Sequence, residues 1–182
     1  MFIEETEFAR LRRQIAIAQN PPFRQDESMM SRVLLLGLLV ITSTIRAGEV
    51  VLTATEKKIL ELTNEERKKK ELPPLKTNAL LFKVAQAHSE NMARQGKMEH
   101  KLDGMTPLQR LRAAGYPYNK AFENIGSGDA DVPLEDLMKA WMDSKGHREN
   151  ILNDVCTEIG LGVARDKNGQ VYYTQLFGHP KK

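Results

Sequence analysis

The spacing of apolar residues along this chain changes once, and that change limits the folds open to it. In residues 78–97, apolar side chains such as Leu81, Val84, Ala85 and Met92 recur every three or four positions, which predicts a helix that ends at Gly96. The sequence also predicts helices over residues 55–71, 106–114 and 134–143, with one more short helix or turn over residues 147–152.

The C-terminal part has a different composition. Residues 158–165 and 170–177 are rich in Gly, Val, Tyr, Thr and Ile, and Asp166-Lys167-Asn168-Gly169 lies between them. An Asn-Gly pair between two such runs is a strong signal of a β-hairpin. Helices first and a hairpin last predict an α+β sandwich rather than a doubly wound parallel sheet.

Composition excludes several classes of protein. The 182 residues are 41% hydrophobic and 28% charged, which is typical of one soluble domain and not of a polytopic membrane protein or a mostly disordered chain. The net charge is only +3, so no nucleic-acid partner is predicted. Cys156 is the single cysteine, so core burial must hold the fold without an internal disulfide. We interpret Cys156 as a buried, inert thiol.

An apolar segment near the N-terminus has the features of an export signal. Between Arg32 and Arg46 lie 13 uncharged, mostly apolar residues. This run is short for a membrane span of about 20 residues but suits the apolar region of a signal peptide, and Ala47 offers a small residue for cleavage. We therefore assign residues 29–48 as a signal peptide, with the exported chain beginning near Gly48 or Glu49. A short signal anchor and a buried core helix are the alternatives.

The other segments follow from this assignment. Residues 1–28, with 4 basic and 5 acidic side chains, do not usually precede a signal peptide, so we interpret them as a gene-start artefact or a disordered cytoplasmic tail. Residues 49–54 are predicted as a linker, residues 55–178 as the folded domain and residues 179–182 as a tail. We expect a monomer that contacts a membrane only if the signal segment is left uncleaved.

The histidines divide into two groups. His88 lies on the apolar face of the second predicted helix, where a buried, hydrogen-bonded histidine is expected, and His179 is expected to be exposed near the C-terminus. His100 and His147 lie in or beside predicted loops, where functional residues concentrate. Glu123 interrupts an apolar and aromatic run, and a carboxylate buried there needs a cation, a hydrogen-bond donor or a metal. From the residues alone, a polar cluster is favoured over a metal site.

Five motifs follow one another along the chain. They are an Asn-x-x-Arg pattern at Asn64 and Arg67, Ala-Phe-Glu-Asn-Ile-Gly at 121–126, the run from Trp141 to Leu152, Thr-Glu-Ile-Gly-Leu-Gly at 157–162 and Tyr-Tyr-Thr-Gln-Leu-Phe-Gly at 172–178. Together they resemble the CAP superfamily of cysteine-rich secretory, antigen 5 and pathogenesis-related 1 proteins, also called SCP domains, in its cysteine-poor bacterial branch. The resemblance covers about residues 55–177. The resemblance implies a three-layer α-β-α sandwich with a small, mainly antiparallel central sheet.

The resemblance also implies a site. It implies a cleft in which His100, Glu123 and His147 hold zinc or another divalent metal. Eukaryotic members carry a second Glu three residues after a Trp, where this chain has Ser144. Ser144 could face the cleft beside His147 or could cap a helix. Glu123 and Ser144 are the candidate catalytic residues.

The function implied is that of a secreted, periplasmic or cell-envelope binding module, and not primarily of an enzyme. Its ligand would be a divalent metal, a lipid-like small molecule or a component of the cell envelope. A metal-dependent hydrolase that uses a zinc-bound water is the alternative, which the missing second Glu disfavours. A structural or adhesive domain with a vestigial cleft is the third possibility.

Overall fold

The computed structural model describes residues 50–181. The predicted signal segment, residues 29–48, and the predicted artefact or tail, residues 1–28, lie outside the described residues. Within residues 50–181, no helix has both the length and the apolar character needed to cross a bilayer.

Residues 50–181 contain five helices and four strands. The helices are α1 (Ala54–Lys68), α2 (Ala79–Gln95), α3 (Pro107–Ala113), α4 (Leu134–Asp143) and α5 (Lys145–Ile151). The strands are β1 (Lys76–Thr77), β2 (Tyr118–Gly128), β3 (Glu158–Arg165) and β4 (Val171–Pro180). All the helices that the sequence predicts are present within a few residues of their expected ends, and β3 and β4 form the predicted hairpin.

The helix ends follow from local chemistry. Thr53 caps α1 in a capping box with Glu56, and Thr106 caps α3 in the same way with Gln109. The Asn78 side chain accepts hydrogen bonds from the first amides of α2, which ends at Gly96 in the left-handed conformation.

The strands form one sheet in the order β1-β3-β4-β2. The β2–β4 and β3–β4 pairs are antiparallel, whereas the short β1 pairs with β3 in parallel. β2 was not predicted as a strand, and it lies at one edge of the sheet with Glu123 opposite Leu176. β4 extends through Pro180, so His179 is a half-buried strand residue rather than part of an exposed tail.

The helices cover both faces of the sheet. On one face, Ile59 of α1 and Trp141 of α4 pack in a buried cluster with Ile159, Tyr173 and other sheet residues. On the other face, two smaller clusters join α2 and α3 to the sheet around residues such as Leu81 and Leu176. Successive strand residues alternate between the two faces. The result is the α-β-α sandwich that the sequence predicted.

Candidate functional site

Glu123 is the centre of a polar cluster at the β2 edge of the sheet. Its side chain is only 2% exposed. Oε1 lies 2.9 Å from His100 Nδ1, and Oε2 accepts a hydrogen bond of 2.6 Å from Arg110 Nη2. A buried carboxylate requires such partners. The expectation that Glu123 would need a cation or a hydrogen-bond donor is confirmed, since it has both.

Arg110 belongs to the site although the sequence analysis did not select it. Besides Glu123, its guanidinium donates to the carbonyl oxygens of His100 at 2.9 Å and of Met105 at 3.0 Å. One side chain of α3 therefore fastens the loop that carries His100 to the strand that carries Glu123. The sequence of α3 is equally typical of a short amphipathic helix on which Arg110 faces solvent. The one available signal was that Arg110 lies on the first helix after the His100 loop.

His100 presents one ring nitrogen to the outside. Its side chain is 51% exposed, and Nδ1 faces the Glu123 carboxylate. Because a carboxylate engaged by an arginine accepts hydrogen bonds, the neutral imidazole carries its proton on Nδ1. The Nε2 lone pair is then available to a ligand.

His147 approaches the cluster from α5, which packs at the free edge of β2. Burial, and then the positive charge of a protonated His100, lower its pKa, so the ring of this half-buried residue stays neutral to lower pH than an ordinary histidine.

A buried chain of amides fixes the backbone at His147. Asn124 Nδ2 donates to the His147 carbonyl at 3.1 Å and to Gln175 Oε1 at 3.1 Å. Asn150 donates to Asn124 Oδ1 at 2.9 Å and to the Glu123 carbonyl at 3.3 Å. Fully paired buried networks of this kind hold one geometry. The network therefore sets α5, and with it His147, against the strand that carries Glu123.

His88 lies behind Glu123, on α2. Its side chain is fully buried, and Nε2 is 3.8 Å from Glu123 Oε1, beyond hydrogen-bond distance. Among the described residues, neither ring nitrogen has a hydrogen-bond partner. The predicted burial is confirmed. The Glu99 backbone lies near enough to the ring to raise its pKa as a hydrogen-bond acceptor would, although the contact does not meet ordinary hydrogen-bond geometry. Burial lowers the pKa of His88 to about 4, against the opposing pull of the Glu123 charge.

This buried imidazole predicts a loss of stability in acid. Between pH 6.5 and 4 the unfolded chain binds a proton at His88 that the folded chain does not. The free energy of unfolding therefore keeps its full value above pH 6.5 and falls as the pH drops toward 4. The loss over this range is roughly 3 kcal/mol. We expect His88→Leu to remove this component from urea denaturation curves recorded at pH 7, 5.5 and 4. Parallel pH dependence in the two proteins would show that His88 does not titrate in this way.

Ser144 lies between α4 and α5. It occupies the N-cap position of α5 with extended backbone, as the capping interpretation expected, but its side chain makes no capping hydrogen bond.

Cys156 is buried, and burial raises the pKa of its thiol to about 11, in agreement with an inert cysteine.

Within residues 50–181, no three His, Cys, Asp or Glu side chains are arranged to hold one metal ion. The donor chemistry fits such an ion only in part, because both Glu123 oxygens are engaged while His100 Nε2 is available. Metal binding by His100, Glu123 and His147 stays a prediction.

Comparisons with known proteins agree on one family. The model of the "Cysteine-rich secretory protein family", or CAP, matches residues 60–177. The Bacillus subtilis protein YkwD is 37% identical over 138 residues, which are 75% of this chain and 52% of that protein. The chain thus spans about half the length, or less, of the first curated relatives it matches.

Two solved structures extend this likeness. An outer surface protein of Borrelia burgdorferi is similar with a TM-score of 0.66 and 27% identity, over 74% of this chain and 99% of that one. An extracellular protein of Bacillus anthracis that contains an SCP domain gives a TM-score of 0.60 and 29% identity, over 73% and 45% of the two chains.

Proposed function

The chain belongs to the cysteine-rich secretory protein family, and we propose that it acts outside the cytoplasm as a binding module that holds a divalent metal ion through His100 and His147. The extracellular and outer-surface relatives support the location. The observation that carries the metal assignment is the 2.9 Å contact between His100 Nδ1 and the buried Glu123 carboxylate.

That contact matches the way in which metal-binding histidines are oriented. A histidine that ligates through one nitrogen usually donates its other N–H to a carboxylate or a carbonyl, which fixes the ring and its tautomer. Here Glu123 holds His100, and Arg110 holds Glu123. Glu123 thus acts as an orienting group, and the two imidazoles supply the ligand nitrogens.

The environment of His147 also favours a metal. An imidazole binds metal only when it is neutral, and the lowered pKa keeps His147 neutral in mildly acidic solution. An ion bound by two neutral imidazoles would supply a Lewis acid with coordination positions left open to a lipid-like or cell-envelope ligand.

Binding is favoured over catalysis. A metal-dependent hydrolase would use a nearby carboxylate as its general base. Both oxygens of Glu123 are instead engaged, by His100 and Arg110. No specific observation supports the hydrolase, and we propose a non-enzymatic module.

Calorimetric titration of zinc into chelator-treated protein tests the proposal. We expect His100→Ala and His147→Ala each to weaken binding at least tenfold, and His179→Ala, a half-buried histidine of β4, to leave it unchanged. Ser144→Glu, which adds a carboxylate three residues before His147, should strengthen binding. Affinity should fall in acid, because protons compete for the ligand nitrogens, and the lowered pKa of His147 should move its part of that fall to lower pH than an ordinary histidine would give. Unchanged affinity after loss of both His100 and His147 would refute the proposal.

A further inference from the structure

The loop that carries His100 also carries an exposed apolar surface. Large apolar side chains are exposed at six positions in residues 50–181, and three of these lie within residues 98–108: Met98 at 49%, Met105 at 38% and Leu108 at 40%. Lys97 and Lys101 are exposed beside them. We call Lys97, Met98, His100, Lys101, Met105 and Leu108 together the 97–108 surface.

The backbone beneath this surface is firmly held. Leu102 is 5% exposed and packs with Met92, Ile125 and Tyr172. The Asp103 carboxylate accepts hydrogen bonds of 2.9 and 3.0 Å from Asn91 and Gln95 of α2.

Arg110 holds the other side of the loop through the His100 and Met105 carbonyls. The loop therefore reaches the core through Leu102 while Met98 and Met105 stay outside. Met98 and Met105 are therefore exposed on a loop whose backbone is held in place.

Basic side chains outnumber acidic ones in this region. Residues 94–112 contain five basic and two acidic side chains. The carboxylate of Asp103 is engaged by α2, and that of Glu123 by Arg110. Within residues 94–112, exposed Glu99 is therefore the carboxylate that offsets Lys97 and Lys101, and it leaves these three side chains a net charge of +1. Basic side chains around exposed, flexible apolar ones are typical of surfaces that lie on an anionic bilayer, where the apolar groups enter the headgroup boundary.

We propose that the 97–108 surface docks on an anionic lipid bilayer and places the exposed ring of His100 at the level of the headgroups. The lysines attract the negative surface, and Met98, Met105 and Leu108 enter its outer layer. This interaction is independent of the metal proposed above, so vesicle binding is expected to be unaffected by chelator. Loss of metal binding would leave it standing, and its failure would leave the metal site untouched.

Site-specific fluorescence on the full chain tests the docking. Single cysteines at Met105→Cys or Leu108→Cys would carry an environment-sensitive label, because the native Cys156 is 1% exposed and its thiol pKa is raised to about 11. Leu80→Cys and Val132→Cys are matched controls at 38% and 40% exposure outside the surface. We expect vesicles of phosphatidylglycerol to shift the emission at 105 and 108 to shorter wavelength and to leave the controls unchanged. Residues 33–45 are identical in every variant, so any lipid contact of their own cannot create the difference.

A charge variant tests whether the lysines of this surface, rather than the net charge of the whole protein, attract the vesicles. Each lysine near an anionic surface contributes about fivefold in affinity, so Lys97→Gln with Lys101→Gln should raise the lipid concentration for half-maximal shift about 30-fold. Lys57→Gln with Lys83→Gln removes the same charge from exposed positions on α1 and α2 and should change it far less. Equal shifts at all four labels, equal shifts with neutral phosphatidylcholine, no shift at 105 and 108, or loss of the shift with chelator would each overturn the proposal.

Discussion

Arg67→Ala is expected to lower the free energy of unfolding by about 4 kcal/mol. The side chain is 1% exposed and makes no ion pair with a carboxylate among the described residues. Its guanidinium instead donates to four backbone carbonyls: Pro73 at 3.0 Å, Ile151 at 2.8 Å, Asn153 at 2.8 Å and Cys156 at 3.3 Å.

The size of the loss follows from what the substitution leaves behind. Hydrogen bonds to a charged donor contribute about 1.5–3 kcal/mol each, and a buried carbonyl left without a partner costs about 1–3 kcal/mol. Ile151 ends α5, where helix carbonyls lack partners within the helix, so Arg67 also caps the helix that carries His147. Some carbonyls will find water, which keeps the sum below four full bonds.

Urea denaturation at pH 7 measures this effect. Arg67→Lys should recover less than half of the loss, because an ammonium group cannot reproduce the planar fork of donors. Arg94→Ala is the matched control, since its side chain is 67% exposed and pairs with Asp103 at 3.4 Å, so it should cost less than about 1 kcal/mol. If Arg67→Ala cost no more than Arg94→Ala, the buried hydrogen bonds would not matter to stability.

Gly160→Ala and Gly162→Ala are each expected to cost at least about 3 kcal/mol. A Cβ at position 160 would lie 2.1 Å from the Leu81 carbonyl carbon, and one at position 162 would lie 2.2 Å from the Ala85 oxygen. Both contacts are with the backbone of α2, which cannot move aside by a rotamer change. The added methyl must push the helix off the sheet, an overpacking that exceeds the usual 1–3 kcal/mol for side-chain clashes.

Gly146→Ala tests whether the loss is steric. A Cβ at position 146 would meet no atom within 4 Å, and Gly146 lies inside α5. Alanine there should stabilise the protein by about 0.5–1 kcal/mol. Thermal and urea unfolding of the three variants should therefore give changes of opposite sign. Comparable destabilisation by all three would mean that close packing on α2 is not the cause.

These glycines illustrate what the sequence could predict. A glycine inside a β-rich run such as residues 158–165 indicates close backbone approach, and Gly160 and Gly162 both lie against the backbone of α2. The helices were predictable because apolar spacing and caps such as Thr106 and Asn78 are local signals. The hairpin was predictable for the same reason, because its Asn-Gly turn lies between two β-rich runs.

The edge strand and Arg110 were not predictable in this way. β2 lacks a tight turn to its partner β4, which follows some 40 residues later, so nothing local identifies the pairing. Its inner residues Glu123, Asn124 and Gly126 are unusual in a strand, and their role depends on partners far along the chain. Arg110 meets Glu123 only through the tertiary fold. His88 was placed correctly in the interior, but the state of its ring depends on neighbours that no spacing reveals.

The most direct test of the metal site is the nitrogen spectrum of the histidine rings. In ¹⁵N-labelled protein at pH 7, long-range ¹H–¹⁵N correlations report which ring nitrogen of each histidine carries the proton. We predict that His100 is protonated at Nδ1 before zinc is added, and that zinc then shifts the nitrogens through which His100 and His147 bind, Nε2 in the case of His100, while His88 and His179 stay unchanged. Unchanged nitrogen shifts at His100 and His147 under saturating zinc, or a proton on Nε2 of His100, would contradict the account.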